Sequence, residues 1–122
     1  MSRDATIHRE VSPEQAMGEI VETIRDAYDP DKIILFGSRI WGEPDEWSDL
    51  DILVIKETDK REIERRIEVA GLLDRFHRRP YWLPIDVLVK TPGEIRRRLE
   101  IGDSFVREII ASGRVVYERG VV

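Results

Sequence analysis

The chain has 122 residues, 41% of them hydrophobic and 37% charged. Against the ~150 residues of a typical domain, this predicts one domain over residues 1–122 with a single core, and excludes disorder and fibrous repeats. Twenty-five acidic against twenty basic side chains leave a net charge of −5, which excludes general nucleic-acid binding, because that depends on phosphate neutralisation. With no cysteine, disulfide scaffolds, thiolate zinc sites and thiol nucleophiles are excluded. His8 and His77 leave little for a histidine-based metal site. Met1 to Arg9 is polar, and no run approaches the ~20 apolar residues that span a bilayer. The expectation is a cytoplasmic protein without membrane contact.

Ser12-Pro13-Glu14-Gln15 carries a capping hydroxyl and a proline at the first helical position, and Met17, Ile20, Val21, Ile24 and Tyr28 follow at helical spacing. This predicts a helix to about Asp29-Pro30. Lys32 to Phe36 is a short apolar run ending at Gly37, the pattern of a strand buried on both faces. Ser38 to Ser48 reads as a loop with one helical turn at its start, and Asp49 to Lys56 as a second strand. Asp59 and Glu62 predict a capping box for a long helix, with Ile63, Ile67, Ala70, Leu73 and Phe76 on its core face, ending near Arg79-Pro80. Ile85 to Val89 is a third strand. Thr91-Pro92-Gly93-Glu94 caps a further helix, Gly102-Asp103 breaks it, and Asp103 caps a last helix through Phe105, Val106, Ile109 and Ile110 to Gly113. Arg114 to Glu118 reads as an edge strand. Helices alternating with buried strands indicate α/β layering, with strand order and direction left open.

The chemistry concentrates in Gly37-Ser38-Arg39 and, ten residues from Arg39 to Ser48 later, Asp49-Leu50-Asp51. Side chains two apart on a strand share a face, so Asp49 and Asp51 point together. Paired aspartates are a poor way to begin an apolar strand, since like charges repel and aspartate is a weak strand former. A divalent cation resolves the conflict, and magnesium suits carboxylates combined with substrate phosphates. Asp86 repeats the anomaly between Ile85 and Val87. If the second and third strands are neighbours, it completes a cluster able to hold two metals, or one metal and a general base. Gly37 lets backbone amides approach an anion, Ser38 adds a hydroxyl, and a helical turn there aims its positive end at phosphate. Together these residues supply cation ligands, a triphosphate cradle and a candidate base for phosphoryl or nucleotidyl transfer.

Other residues have plainer readings. Arg39 either forks onto phosphate oxygens or pairs with Glu43 or Asp45 at the surface. Trp41 and Trp47 read as cover for the sheet edge rather than platforms for a base. His77 reads as solvated, and Arg96-Arg97-Arg98 as a solvated helix face rather than a dock for an acidic partner or RNA.

The segment LFGSRIWGEPDEWSDLDILVI, with PIDVLV downstream, resembles the minimal nucleotidyltransferases of the DNA polymerase beta superfamily over nearly the whole chain. The resemblance implies a single-domain polymerase-beta-like α/β fold, a mixed central sheet flanked by helices. It implies that Asp49 and Asp51 bind two magnesium ions, for which manganese is an expected substitute. Asp86 would join one metal and activate the acceptor hydroxyl, and Gly37 and Ser38 would hold the triphosphate of ATP. Arg39 matches the Gly-Ser-Arg form of the group, while Ile40-Trp41 is bulkier than the residues often found before the next glycine, Gly42. Many prokaryotic members of this length are encoded with a helical HEPN-domain RNase toxin, which they antagonise by moving AMP to a tyrosine, so the resemblance implies such a partner here. Larger relatives carry a further helical domain for the acceptor, for which this chain has no space, so a partner protein bringing its own acceptor residue is expected. The competing expectation is a non-catalytic antitoxin or nucleotide-sensing module that neutralises its partner by binding alone.

Overall fold

A computed structural model describes residues 10–45 and 48–121. The first helix, α1 (Pro13–Tyr28), begins where the Ser12 hydroxyl accepts the Gln15 N–H at 3.1 Å, and ends at Asp29, whose φ of 54° turns the chain out of the helix. Ala16, Ile20, Ile24 and Tyr28 form its buried stripe at four-residue spacing. There follow β1 (Lys32–Phe36), the single turn α2 (Ser38–Trp41), β2 (Leu50–Ile55), α3 (Glu62–Leu73), β3 (Ile85–Lys90), α4 (Pro92–Glu100), α5 (Ser104–Ser112) and β4 (Arg114–Glu118).

The strands form one mixed sheet in the order β3-β2-β1-β4, with β2 and β3 parallel and the other neighbours antiparallel. Alternation along the strands feeds two cores. Ile33, Leu35, Leu50, Ile52, Val54 and Val89 face α1 and α3. Ile34, Phe36, Leu53 and Ile55 face Ile95 of α4 and Val106 and Ile109 of α5. Burial on both faces is why β1 and β2 read as unbroken apolar runs. Among the described residues, no helix is long and apolar enough to cross a membrane.

α3 departs from the sequence expectation in its start, its phase and its end. Arg61, not Asp59, precedes the helix, and its N–H donates to Glu64 Oε1 at 2.9 Å. Leu73 and Phe76 are buried as expected, but Ile63 and Ile67 are 53% and 64% exposed and Ala70 is exposed too, while Arg65 and Val69 turn inward. The α-helix closes at Leu73 and tightens into a 3-10 turn, Asp74–His77, well short of Pro80. The phase follows from Arg65. Its guanidinium spans Glu94 Oε1 and Oε2 at 2.8 and 3.2 Å and donates to the carbonyls of Lys60 and Val89 at 2.8 and 3.3 Å. A cation so fully satisfied tolerates burial, and apolar periodicity alone misplaces the helix by the width of that one residue. The same Glu94 closes the α4 capping box, accepting the Thr91 N–H at 2.9 Å while donating its own to Thr91 Oγ1 at 3.1 Å.

Two variants test this phase. Arg65→Ala is expected to cost about 2–4 kcal/mol in urea unfolding, since it strands two carbonyls and a carboxylate. Ile67→Glu, on the outward face, is expected to stay within about 0.5 kcal/mol of the parent. Equal losses in the two would place the helix in the other phase.

Candidate active site

The register of β2 builds the site. Phe36, the last residue of β1, pairs with Asp51, and on the other side Asp51 pairs with Asp86 of β3. The expected adjacency of the second and third strands is therefore present. Asp51 and Asp86 share the face of the sheet that carries Leu53 and Leu88, on strands roughly 4.8 Å apart. Asp49 immediately precedes β2 and has the parity of Asp51. Asp49 and Asp86 are exposed, and Asp51 is half-buried between them and the turn.

Gly37 follows β1 at φ 87°, ψ −168°, a conformation open to glycine alone. A Cβ built there lies 2.0 Å from Asp51 Oδ2, so the turn lies flush against the carboxylate. The Gly37 carbonyl then accepts the N–H groups of Ile40 and Trp41 at 2.9 and 2.8 Å, forming α2, with Ser38 exposed at its first position. Burial, then repulsion from Asp86, then repulsion from Asp49 push the Asp51 carboxyl up to about 6. Among the described residues, no cation or N–H group is bonded to any of the three carboxylates.

Two residues hold the loop between β1 and β2. Arg39 donates from Nε to the Ser48 carbonyl at 2.9 Å and from Nη2 to the Asp45 carbonyl at 3.3 Å, so its guanidinium staples the segment that leads into Asp49. The indole N–H of Trp41 donates to the Ser112 carbonyl at 2.8 Å, and its ring lies 6.0 Å from that of Phe36. Trp41 therefore ties α2 to α5 over the end of the sheet. Neither staple has a sequence signal, because all three acceptors are backbone carbonyls, which any residue supplies. Trp47 and His8 lie outside the described residues. His77 and Arg96, Arg97 and Arg98 are exposed, as their helix faces suggest.

The carboxylates form an open row. Among the described residues, no three acidic or histidine side chains close around a point in the manner of a metal cage. An open row fits magnesium better than a cage does, since magnesium keeps several waters and takes phosphate oxygens beside one or two carboxylates. Two observations support that fit: Asp51 resists ionisation through burial and like charges, and the absent side chain at Gly37 lets the backbone of the turn lie against its carboxylate.

The fold matches the polymerase beta-like nucleotidyltransferase architecture. The chain belongs to that family: the model described as Polymerase beta, Nucleotidyltransferase matches residues 18–120. Among solved structures, a protein of Sulfolobus solfataricus assigned to the nucleotidyltransferases is similar at 22% identity with a TM-score of 0.54, over 85% of this chain and 78% of its own. The toxin–antitoxin pair MntA–HpeT, in a form with two aspartates replaced by glutamate, is similar at 18% identity with a TM-score of 0.51, over 84% of this chain and 73% of that one. These two likenesses concern the fold. No curated protein matches the sequence significantly.

The folded state binds a proton at Asp51 more tightly than the unfolded chain, whose carboxyl keeps its ordinary value of 3.8. The metal-free protein is therefore expected to lose stability as pH rises from 3.8 to about 6, with no further loss from this group above that. Asp51→Asn should abolish the slope and raise the melting temperature in EDTA at neutral pH by roughly 4 °C, on the order of 1 kcal/mol after solvent screening. Thermal scans across that pH window check both. A variant that melts below the parent in EDTA would make Asp51 a structural hydrogen-bonding residue instead.

Proposed function

We propose that the protein is a metal-dependent nucleotidyltransferase that moves AMP from ATP to a hydroxyl of a partner protein. In this reading it acts as the antitoxin of a helical HEPN-domain RNase toxin whose tyrosine accepts the AMP. The observation that carries the transfer is the register pairing of Asp51 with Asp86, with Gly37 flush against Asp51. The antitoxin role rests on the sequence resemblance to minimal nucleotidyltransferases, and the fold shared with the MntA–HpeT pair is consistent with it.

Asp49 and Asp51 would hold magnesium ions, and Asp86 would join one of them. When bound, the metal neutralises triphosphate charge and polarises the α-phosphate. Gly37 and Ser38 cradle the phosphates through backbone N–H groups and the Ser38 hydroxyl. Asp86 orients the acceptor hydroxyl and takes its proton. The acceptor oxygen bonds to the α-phosphorus as the bond from that phosphorus to the bridging oxygen breaks, and pyrophosphate leaves with the electron pair. Arg39 is a positioning residue here: its two bonds to loop carbonyls fix the approach to Asp49.

Because cation and triphosphate must share the carboxylates, ATP is expected to bind markedly more tightly with magnesium or manganese than in excess chelator. Calorimetry checks this, and equal affinities would remove the metal-bridged arrangement. Asp49→Asn combined with Asp51→Asn should lower transfer by roughly a thousandfold, about 4 kcal/mol of barrier. The measurement is pyrophosphate release from labelled ATP in the presence of a co-purifying partner, with the adduct mass read on that partner. A parent chain that neutralises the partner without releasing pyrophosphate would instead be an antitoxin by binding alone.

A further inference from the structure

β3 carries Asp86 and is an edge of the sheet. Its inner side is used. The Leu50 N–H donates to the Pro84 carbonyl at 2.9 Å and the Lys56 N–H to the Lys90 carbonyl at 3.0 Å. With the parallel register running from Leu50↔Ile85 to Ile55↔Lys90, the backbone groups of Asp86, Leu88 and Lys90 face β2. Those of Ile85, Val87 and Val89 therefore face away. Arg65 takes the Val89 carbonyl at 3.3 Å and so closes one end of the edge. At Ile85 and Val87, no outward N–H or carbonyl is bonded among the described residues.

The opposite edge differs. The pairing of β4 with β1 shifts between Ile33 and Ile34, an irregularity of the kind that twists edges away from further pairing. β3 pairs without a shift. The straight, half-open edge is thus the one that bears the candidate base.

We propose that Ile85–Val87 is a docking edge for an extended segment of the acceptor protein, which adds as an antiparallel strand and presents its hydroxyl residue opposite Asp86. The inference rests on the transfer reading above and names how the acceptor is held. An antiparallel segment exchanges four backbone hydrogen bonds with Ile85 and Val87. Asp86 then occupies a non-hydrogen-bonded position, where opposed Cα atoms approach to ~4.5 Å and side chains lie on the same face. The two residues flanking the hydroxyl residue point to the other face, beside Ile85 and Val87, which pack against the core under α1 and α3. They are therefore apolar. The row of Asp49, Asp51 and Asp86 repels acidic residues, and proline cannot supply the outward-facing donors. The acceptor segment is thus apolar–hydroxyl–apolar, without acidic residues or proline.

The test uses the full chain, labelled with nitrogen-15, and a capped pentapeptide Lys-Val-Tyr-Val-Lys as probe. Expected are amide shifts centred on Ile85 and Val87, abolished when both valines of the peptide are N-methylated, a change that leaves the protein untouched. Val87→Pro removes an outward donor and no bond to β2. It should weaken the peptide about tenfold, the equivalent of one lost hydrogen bond, while Val87→Thr, which keeps the donor, should not. Absence of a shift at millimolar peptide, a response centred on β4, an unchanged response to the N-methylated peptide, or protection of both amides before any peptide is added would each overturn the proposal. Calorimetry with magnesium and ATP separates the two readings. Nucleotide binding without an edge response removes the docking edge alone, and an edge response without nucleotide binding removes the transfer reading alone.

Discussion

The register of β2 is the constraint on which the rest of the structure depends. Leu50, Ile52 and Val54 enter one core and Leu53 and Ile55 the other, so a slip of one residue would exchange every side chain between two filled layers. That lock holds Asp51 beside Gly37 on one side and Asp86 on the other. Carboxylates would not choose this arrangement. The apolar burial along the rest of the strands imposes it, and the loss of solvent at Asp51, then repulsion from Asp86 and Asp49, raises its carboxyl.

Stability lost at this end of the sheet is offset at the other. Arg65 and Glu94 join α3 to α4 across the far end of β3, and each partner also satisfies backbone groups, Val89 and Lys60 for the arginine and Thr91 for the glutamate. The caps at Ser12, Thr91 and Asp103 fix three helix starts. At the acidic end the fastening is of another kind. Arg39 and Trp41 bind carbonyls of the β1–β2 loop and of α5, holding the turn in place without bringing a positive charge onto the carboxylates. A charge placed there would neutralise the row that a cation is proposed to occupy.

Much of this was legible in the sequence, for stated physical reasons. Caps, prolines and glycines marked α1, α4 and α5, because those signals are local. The unbroken apolar runs marked β1 and β2, and the aspartates stood out because they contradict such runs. Leu73 and Phe76 were legible as core, but the inward face of the first turns of α3 was not: burial of Arg65 depends on Glu94, twenty-nine residues on, and periodicity cannot see a partner at that separation. The Asp59 carboxylate does not cap the helix because α3 begins later, where Arg61 takes the cap position and its N–H donates to Glu64 Oε1. The Arg39 bonds to the Ser48 and Asp45 carbonyls were not legible, because carbonyl acceptors leave no mark in composition.

Strand direction was left open by the sequence, yet the spacing of the motif contains it once the site is taken as a unit. For Gly37 to meet Asp51, the end of β1 must lie beside the start of β2. Antiparallel neighbours achieve this with any modest loop, whereas a parallel crossover puts the two at opposite ends of the sheet and needs a dozen or more residues, usually helical, to return. The connection from Gly37 to Asp49 holds only the four-residue α2 among its described residues, so it joins a hairpin. β3 then has to run parallel to β2 if Asp86 near its start is to join Asp51 near the start of β2, and the intervening α3 supplies that crossover. The mixed sheet is thus the simplest topology that brings a turn glycine and aspartates from two strand starts to one end of one face. It also leaves the last of those aspartates on the outermost strand, with no further strand of the described chain between it and an incoming acceptor.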